Sequence, residues 1–324
     1  MSTAQPMHGQ VGWRLLSSRS RRKRITFYLF ISPWLIGFVA LGAIPLVLGL
    51  LTSLTNYDGM DLAHLKFVGL DNYARAFADS EATFTAGRTA VWIAINTPAW
   101  LVISFLLALI LNQEVRGRGI FRTLYYLPSV IPAVAAMWVW KIFLNDNFGL
   151  MAAMADLIRP GTVIPWLTKY ALVSVTFVSL WGGLGLGMVV FLAGLQGIPR
   201  ELEEAAVIDG AHQFQVFRHV TIPLMTPVIF FQLVISLIGG FQTFVLPLLL
   251  LGGQRDLAYG STPPRSIYLY MVYTYHQLFV YQRFGYGTAL LWILFTVVLV
   301  LTLLVFWTQR YWVYYEVETQ GEGR

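Results

Sequence analysis

Long apolar runs separated by short polar stretches set the first expectation for this chain. Six runs approach or exceed the ~20 residues that a helix rising ~1.5 Å per residue needs to cross a bilayer. They lie at about 27–54, 89–111, 121–144, 170–195, 223–251 and 285–312. The polar stretch between the fourth and fifth runs, 196–223, carries helix punctuation of its own. Pro199 suits the first turn of a helix, where a missing N–H costs nothing. Glu201, Glu203 and Glu204 follow where the helix dipole favours negative charge. Ala205 and Ala206 are strong helix formers without bulk. Asp209-Gly210 then stops the helix, because glycine is free to take a positive φ. A second short helix is expected over about 212–220, with Pro223 opening the fifth span. The stretch reads as helix, sharp turn, helix, lying across one mouth of a bundle. Such an insert is a handle that another protein can push, or an amphipathic connector resting on headgroups.

Composition agrees with a membrane chain. Hydrophobic residues are 57% of the sequence and charged residues 12%, and a soluble protein with that balance would expose too much apolar surface. The net charge of +6 sits at the ends of the apolar runs, which is a topology signal rather than a nucleic-acid footprint. Arg19-Ser-Arg-Arg-Lys-Arg24 precedes a run too long for a signal-peptide core and reads as a cytoplasmic tail before a first anchor. With the N-terminus inside, 13 of the Lys and Arg residues fall on the inner side and 9 on the outer. That excess favours both termini inside. The inner basic tail could also attract anionic lipid.

Several function classes lose ground. Cysteine is absent, so no thiolate nucleophile, disulfide or thiolate metal site exists. His8, His64, His212, His219 and His276 show no metal-ligand spacing. No Ser/His/Asp arrangement emerges. No span carries an interior Asp or Glu, whereas coupled carriers commonly use intramembrane carboxylates. An independent carrier or a membrane enzyme would need such groups at depth. Gly182-Gly-Leu-Gly-Leu-Gly187 is glycine-rich but lacks the lysine of a phosphate loop and lies inside a span, so it points to close helix approach or pore lining.

The polar stretch also carries a longer pattern: Glu204-Ala205-Ala206, three residues, Gly210, nine residues, then Val220-Thr221-Ile222-Pro223. It resembles the signature of permease subunits of binding-protein-dependent ABC importers, Val and Ile standing conservatively for Ile and Leu near its end. The extension Ala206-Val-Ile-Asp209-Gly210-Ala211 is similar to the carbohydrate, maltose-type branch. Tyr28-Leu-Phe-Ile-Ser-Pro33, Phe67-Val-Gly-Leu-Asp-Asn-Tyr73, Arg122-Thr-Leu-Tyr-Tyr-Leu-Pro128 and Trp140-Lys-Ile-Phe143 extend the likeness over nearly the whole chain.

The resemblance implies an all-α integral membrane protein with six transmembrane helices, N-in and C-in, in the type I ABC importer permease architecture. A basic tail (1–24) would precede a permease domain (25–316), whose coupling helix lies in the loop 197–222 between helices four and five, and a short cytoplasmic tail (317–324) would follow. The partners implied are a second permease subunit, a cytoplasmic ATPase dimer, an extracytoplasmic solute-binding protein, membrane lipid and a sugar. ATP and Mg would bind the ATPase and no cofactor this chain, which would not be an enzyme. The location implied is a bacterial or archaeal cytoplasmic membrane. Glu204, Ala205, Ala206, Asp209, Gly210 and Pro223 would form the ATPase-coupling element.

The substrate pathway would draw on Ala136 of span three, Ser179, Gly183 and Leu186 of span four, and Ser236, Gly240, Phe241 and Gln242 of span five. Gln242 is an amide at depth that hydroxyl groups can satisfy, and an aromatic face such as Phe241 suits the apolar face of a pyranose. Helix packing is the competing role for all eight. The same machinery could instead carry glycerol phosphate or another polar solute. The long outer loop from Gly252 to Arg283 is expected to include an interfacial helix over about 266–281, its tyrosines anchored at headgroup level, with docking of the binding protein as a second use.

Overall fold

A computed structural model describes residues 11–60, 63–113, 116–251 and 263–314 of the 324-residue chain, with side chains from residue 22 onward. The start of the basic tail, residues 252–262 of the long loop, and the expected tail 317–324 lie outside the described residues. Fourteen α-helices account for most of the described chain, and among the described residues the only β pairing is a single Thr55–Phe67 bridge.

The first span is α1 (Val11–Phe38), a π turn (Val39–Ala43) and α2 (Ile44–Ser53), continuous over Arg22–Ser53. The short helix α3 (Asp71–Ala78) leads into α4 (Ser80–Asn112). Next come α5 (Arg118–Val130), α6 (Ala133–Phe143), α7 (Leu150–Ile158) and α8 (Ala171–Gln196). The polar stretch forms α9 (Arg200–Ile208) and α10 (Gln213–Val216). A π turn (Phe217–Thr221) joins α10 to α11 (Ile222–Phe241), followed by α12 (Val245–Leu251). A 3-10 turn (Arg265–Ile267), α13 (Tyr270–Tyr275), a π turn (His276–Val280) and α14 (Phe284–Trp312) complete the described fold.

Five helical stretches are long and apolar enough to cross a membrane, or six if the bent pair α5–α6 is one span. The third expected span is therefore not one straight helix. α5 and α6 meet at 96°, because a residue before proline is pushed out of the helical region. Ile131 is extended (φ −69°, ψ 130°) ahead of Pro132. The fifth span differs at both ends. It starts at Gln213, so the expected second short helix is simply its beginning, and it stops at Phe241 rather than near 251. Pro223 sits inside it. Ile222 N–H bonds five residues back to the Phe217 carbonyl, a π spacing that accommodates a residue with no N–H of its own. The first span handles Pro45 in the same way, with Ile44 N–H on the Val39 carbonyl.

The spans alternate in direction. One end of the bundle holds Ser53, Asp79 and Phe284; the other holds Leu111, Leu195 and the α9 loop. The described chain returns to that second end, where Tyr314 N–H donates to Thr226 Oγ1 at 2.9 Å. A large core at the Asp79 end includes Trp92, Val175, Leu250, Ile267, Val272 and Leu290. A smaller one near the α9 loop is built on Ala108, Met188, Phe191 and Met225. The outward surface stays apolar, as lipid requires: Leu41, Leu46 and Leu48 of the first span are all exposed.

Asp79 organises its end. Its Oδ1 accepts from Glu81 N–H (2.9 Å) and Ala82 N–H (3.3 Å), capping α4. Its Oδ2 accepts from the hydroxyls of Tyr273 and Tyr286, the latter at 2.6 Å. The Arg75 guanidinium lies 4.5 Å from the centre of the Tyr286 ring. Arg88 Nη2 donates to Ser266 O at 2.7 Å, and Tyr270 N–H donates to Thr89 Oγ1 at 2.9 Å. The expected helix within 266–281 is present in broken form; Tyr281 is exposed and Tyr275 half-buried, but three of its tyrosines are turned inward rather than to headgroups. Tyr268, Tyr270 and Tyr273 are buried, because His276 Nδ1, the Leu290 carbonyl and Asp79 respectively give their hydroxyls partners inside the protein.

Two stability predictions follow from this junction. Burial pushes the Asp79 carboxyl up, but the Tyr273 and Tyr286 hydroxyls and two backbone N–H groups outweigh it and hold the group below 3.8. Its contribution is present above about pH 4 and is lost as pH falls below that. Asp79→Ala is expected to cost about 1–3 kcal/mol, read as a lower thermal unfolding midpoint in detergent at neutral pH; an unchanged midpoint would contradict the role given to this carboxylate. His276 is almost fully buried, with Nδ1 3.0 Å from the Tyr268 hydroxyl. Burial holds it below 6.5, so it stays neutral, and stability should decline as pH falls through the region below 6.5. His276→Gln should flatten the midpoint's dependence between about pH 7 and about pH 5; parallel profiles would rule this out.

Candidate coupling loop and transport pathway

The polar loop folds as its sequence dictates, with one shift. Pro199 is the residue before the helix (φ −60°, ψ 128°) rather than its first turn, and Glu201 and Glu203 occupy that first turn. The end of α9 is a Schellman motif. Gly210 N–H donates to Val207 O and Ala211 N–H to Ala206 O, both at 3.0 Å, while Gly210 takes φ +86°. Only a residue without a Cβ adopts that conformation at little cost. A Cβ on Gly210 would meet nothing within 4 Å, so backbone strain and not crowding selects glycine. Asp209 is the last half-helical residue, its N–H on Ala205 O. The next helix starts with Gln215 Oε1 accepting the His212 N–H at 2.9 Å.

The loop presents an unusual surface. Leu202, Val207, Ile208 and Phe214 are exposed, Ile208 at 85%. Glu204, Ala205, Asp209 and Gly210 are exposed beside them, and Ala206 is half-buried. Between α9 and the start of the fifth span lies a groove of ≈ 610 Å³, lined by Glu203, Glu204, Val207, Ile208, Gln213, Val216, Phe217 and Thr221. Its floor is apolar and its rim carries two carboxylates. Pro223 lies just beyond it, within the span.

The eight pathway candidates are spread over α6, α8 and α11 with its C-terminal end, and none lines the groove beside α9 or the one between α4, α5 and α8. Ala136 and Gly240 are buried. A Cβ on Gly240 would come within 3.0 Å of Ile93 Cγ1 of α4. Gly183 faces α4 too, 3.0 Å from Trp100 Nε1 by the same measure. Ser179, Ser236 and Phe241 are half-buried, and the Ser236 hydroxyl donates to Leu233 O. Leu186 and Gln242 are exposed. Gln242 is not inside a helix: it ends α11, its N–H reaching Ile238 O and Gly239 O. A groove of ≈ 560 Å³ does lie between α4, α5 and α8, lined by Ile103, Phe121, Leu124, Tyr125, Pro128, Phe177, Leu180, Trp181 and Leu184. Its α8 wall is a single stripe beside Ser179 and Gly183.

Sequence reasoning passed over several polar groups at depth. Gln232 is buried, with Nε2 donating to Gly187 O at 3.3 Å. On α4, Trp92, Asn96, Trp100 and Ser104 recur every four residues on one face. Trp92 Nε1 and Asn96 Oδ1 are enclosed without a partner among the described residues. Arg122 Nε and Nη2 are likewise enclosed without one. Gln232 and Asn96 stand alone as amides inside apolar runs, a signal that was available in the sequence. The glycine run has a clear packing role. A Cβ on Gly185 would sit 2.3 Å from Tyr125 O of α5, and one on Gly187 would sit 2.6 Å from Ser104 Oγ of α4. Among the described residues no cluster of three or more His, Asp or Glu could hold a metal.

Residues 101–313 match the family described as the binding-protein-dependent transport system inner membrane component. The chain is 36% identical over 317 residues to the "Probable ABC transporter permease protein YesP" of Bacillus subtilis, covering 96% of this chain and 99% of that one. It is 30% identical to the "Arabinooligosaccharides transport system permease protein AraP" of the same organism, covering 91% of each. It is 28% identical to the "Trehalose/maltose transport system permease protein MalF" of Thermococcus litoralis, covering 89% and 95%. The fold is shared with a chain of a bacterial alginate ABC transporter, solved in complex with an alginate pentasaccharide-bound periplasmic protein. That match has a TM-score of 0.76 at 22% identity and covers 90% of this chain and 96% of that one.

The glycine contacts make a paired prediction. Gly185→Ala forces α5 away from α8 and should cost about 1–3 kcal/mol, whereas Gly182→Ala, with nothing within 4 Å of its Cβ, should be neutral or slightly stabilising. Thermal unfolding midpoints of the two variants in detergent check this, and equal midpoints would refute it.

Proposed function

This chain belongs to the family of inner membrane components of binding-protein-dependent transport systems, and on that basis we propose that it is a permease subunit of an ATP-driven sugar importer. It forms half of the translocation pathway and is moved by a separate ATPase through the α9 loop. A family member with this many apolar helices is a multi-pass inner membrane protein. Orientation is part of the proposal: the basic residues before the first span and in the 116–122 segment put the Gly210 end and both termini on the cytoplasmic side.

One observation carries the coupling role. A short helix outside the spans exposes Leu202, Val207 and Ile208, and a left-handed glycine fixes its angle to the fifth span. Exposed apolar side chains on a polar loop favour a protein partner. Because α10, the π turn and α11 are continuous, a push on the loop is delivered directly to the fifth span. Glu204 offers a charged contact at the rim, Ala205 and Ala206 allow close approach, and Asp209-Gly210 set the angle. ATP and Mg belong to the partner ATPase. A second permease, an extracytoplasmic solute-binding protein and surrounding lipid complete the assembly.

The sugar reading draws on the names of the relatives. The aromatic groove with Phe177, Trp181 and Tyr125 is compatible with it, since aromatic faces pack on apolar pyranose faces. One observation favours a second reading, glycerol phosphate or another anionic solute on the same machinery: Arg122 keeps enclosed, unpaired guanidinium nitrogens near that groove. The ATPase activity of the complete complex in lipid, measured with its binding protein and a panel of neutral and anionic solutes, distinguishes the two.

Gly210→Asp supplies the test of coupling. The strain of a side chain at this φ is about 1 kcal/mol or more, and the space around it is open, so the variant should fold and insert. It should lose most solute-stimulated ATPase activity and uptake. Normal uptake by correctly inserted Gly210→Asp would sink the coupling assignment.

A further inference from the structure

The segment after the first span has an apolar face turned away from the protein. Phe67, Leu70 and Phe77 are exposed at 77%, 70% and 75%. Leu70, which precedes α3, and Ala74 and Phe77 within it fall at i, i+4 and i+7, one stripe along the short helix. The adjoining face is already used: Ala76 is buried, and the Tyr73 hydroxyl lies 2.7 Å from Ser53 Oγ. This stripe is therefore not the helix's contact with its own fold.

Three sets of bonds fix the depth of this stripe. Asn72 Nδ2 donates to Ser53 O and to Thr55 O, both at 2.8 Å, so α3 starts at the last carbonyls of the first span. Val68 N–H donates to Leu54 O at 2.8 Å, which sets Phe67 beside the same helix end. Arg75 over the Tyr286 ring ties the other side of α3 to the first turn of α14. The stripe lies at the junction of the end of the first span with the start of α14, and Leu46, Leu48 and Leu51 of the first span are exposed as well. Asp71 and Arg75 flank it, as in a helix lying in the interface plane.

We propose that residues 67–77 form an interfacial anchor, with Phe67, Leu70 and Phe77 inserted into the lipid boundary of the leaflet at the Asp79 end. The occupant of this face is phospholipid at glycerol and upper acyl depth. The anchor bears on Asp79 directly, because Asp79 follows Ala78 at the end of α3. Lipid thereby holds the junction from outside as the tyrosines hold it from inside. The inference rests on membrane insertion and not on which solute is carried.

The absence of cysteine makes the test direct. Phe67→Cys, Leu70→Cys and Phe77→Cys, each in the assembled complex in lipid, are labelled with a nitroxide, and collisions with oxygen and with a water-soluble nickel chelate are measured. Leu48→Cys serves as the lipid reference and Arg159→Cys, exposed at the end of α7 and away from the coupling loop, as the solvent reference. The three positions should show oxygen-to-nickel ratios several-fold above the solvent reference and approaching the lipid one. Nickel-dominated collisions would overturn the proposal in favour of a solvated face. Low access to both reagents would overturn it in favour of a protein partner. Should a variant fail to assemble, the native chain can be reconstituted with a phospholipid carrying a diazirine near its glycerol backbone. Lipid adducts on peptides spanning 67–77 are expected after illumination, and adducts confined to the long spans would also refute the anchor.

Discussion

Asp79 places one carboxylate oxygen on the first N–H groups of α4 and the other on the hydroxyls of Tyr273 and Tyr286. Three segments distant in sequence therefore share one anion. A carboxylate at the edge of a low-dielectric bundle is costly to leave unpaired, so its partners must arrive together. The Arg88 contact to Ser266, the Tyr270 bond to the Leu290 carbonyl and the Tyr268–His276 pair reinforce that closure from the same end. Together these contacts make much of 267–278 part of the core.

The opposite constraint operates within the spans. In lipid, each backbone N–H and C=O must find a partner inside the protein, and proline removes a donor. The chain resolves this in two ways. At Pro45 and Pro223 the preceding N–H bonds five residues back, and the helix continues. At Pro132 the preceding Ile131 becomes extended, and α5 and α6 diverge at 96°. The continuous solution places a stiff helix from Gln213 to Phe241 directly behind the exposed loop. The broken one opens the aromatic groove between α4, α5 and α8. A lever and a cavity thus follow from how the same residue type is accommodated.

Close approach of α8 to its neighbours links these features. Gly185 against the Tyr125 carbonyl and Gly187 against Ser104 bring α8 to backbone distance from α5 and α4. Gln232 adds a hydrogen bond from α11 to Gly187 O. Motion applied to the fifth span at its loop end therefore reaches the groove through packed contacts rather than through a flexible linker.

The sequence by itself determined the class, the approximate spans, and the helix–glycine turn of the polar loop. Each of these rests on local chemistry: run length against bilayer thickness, dipole and propensity in α9, and the left-handed conformation at Gly210. Asp79 before Ser80-Glu81 was also a legible helix start, although α4 was expected to begin nine residues later. Which polar side chains face one another was not legible. Gln242 looked like the amide at depth, yet it ends a helix and is exposed, while Gln232 and Asn96 lie inside. Ala136 and Gly240 are buried within this chain. Tyr268, Tyr270 and Tyr273 of the long loop fitted a headgroup belt, yet His276, the Leu290 carbonyl and the distant Asp79 give them buried partners. The bend at Pro132 and the continuity at Pro223 likewise depend on which hydrogen bonds the neighbouring turns can re-form. These outcomes are set by contacts between segments far apart in the chain, and only the tertiary structure decides them.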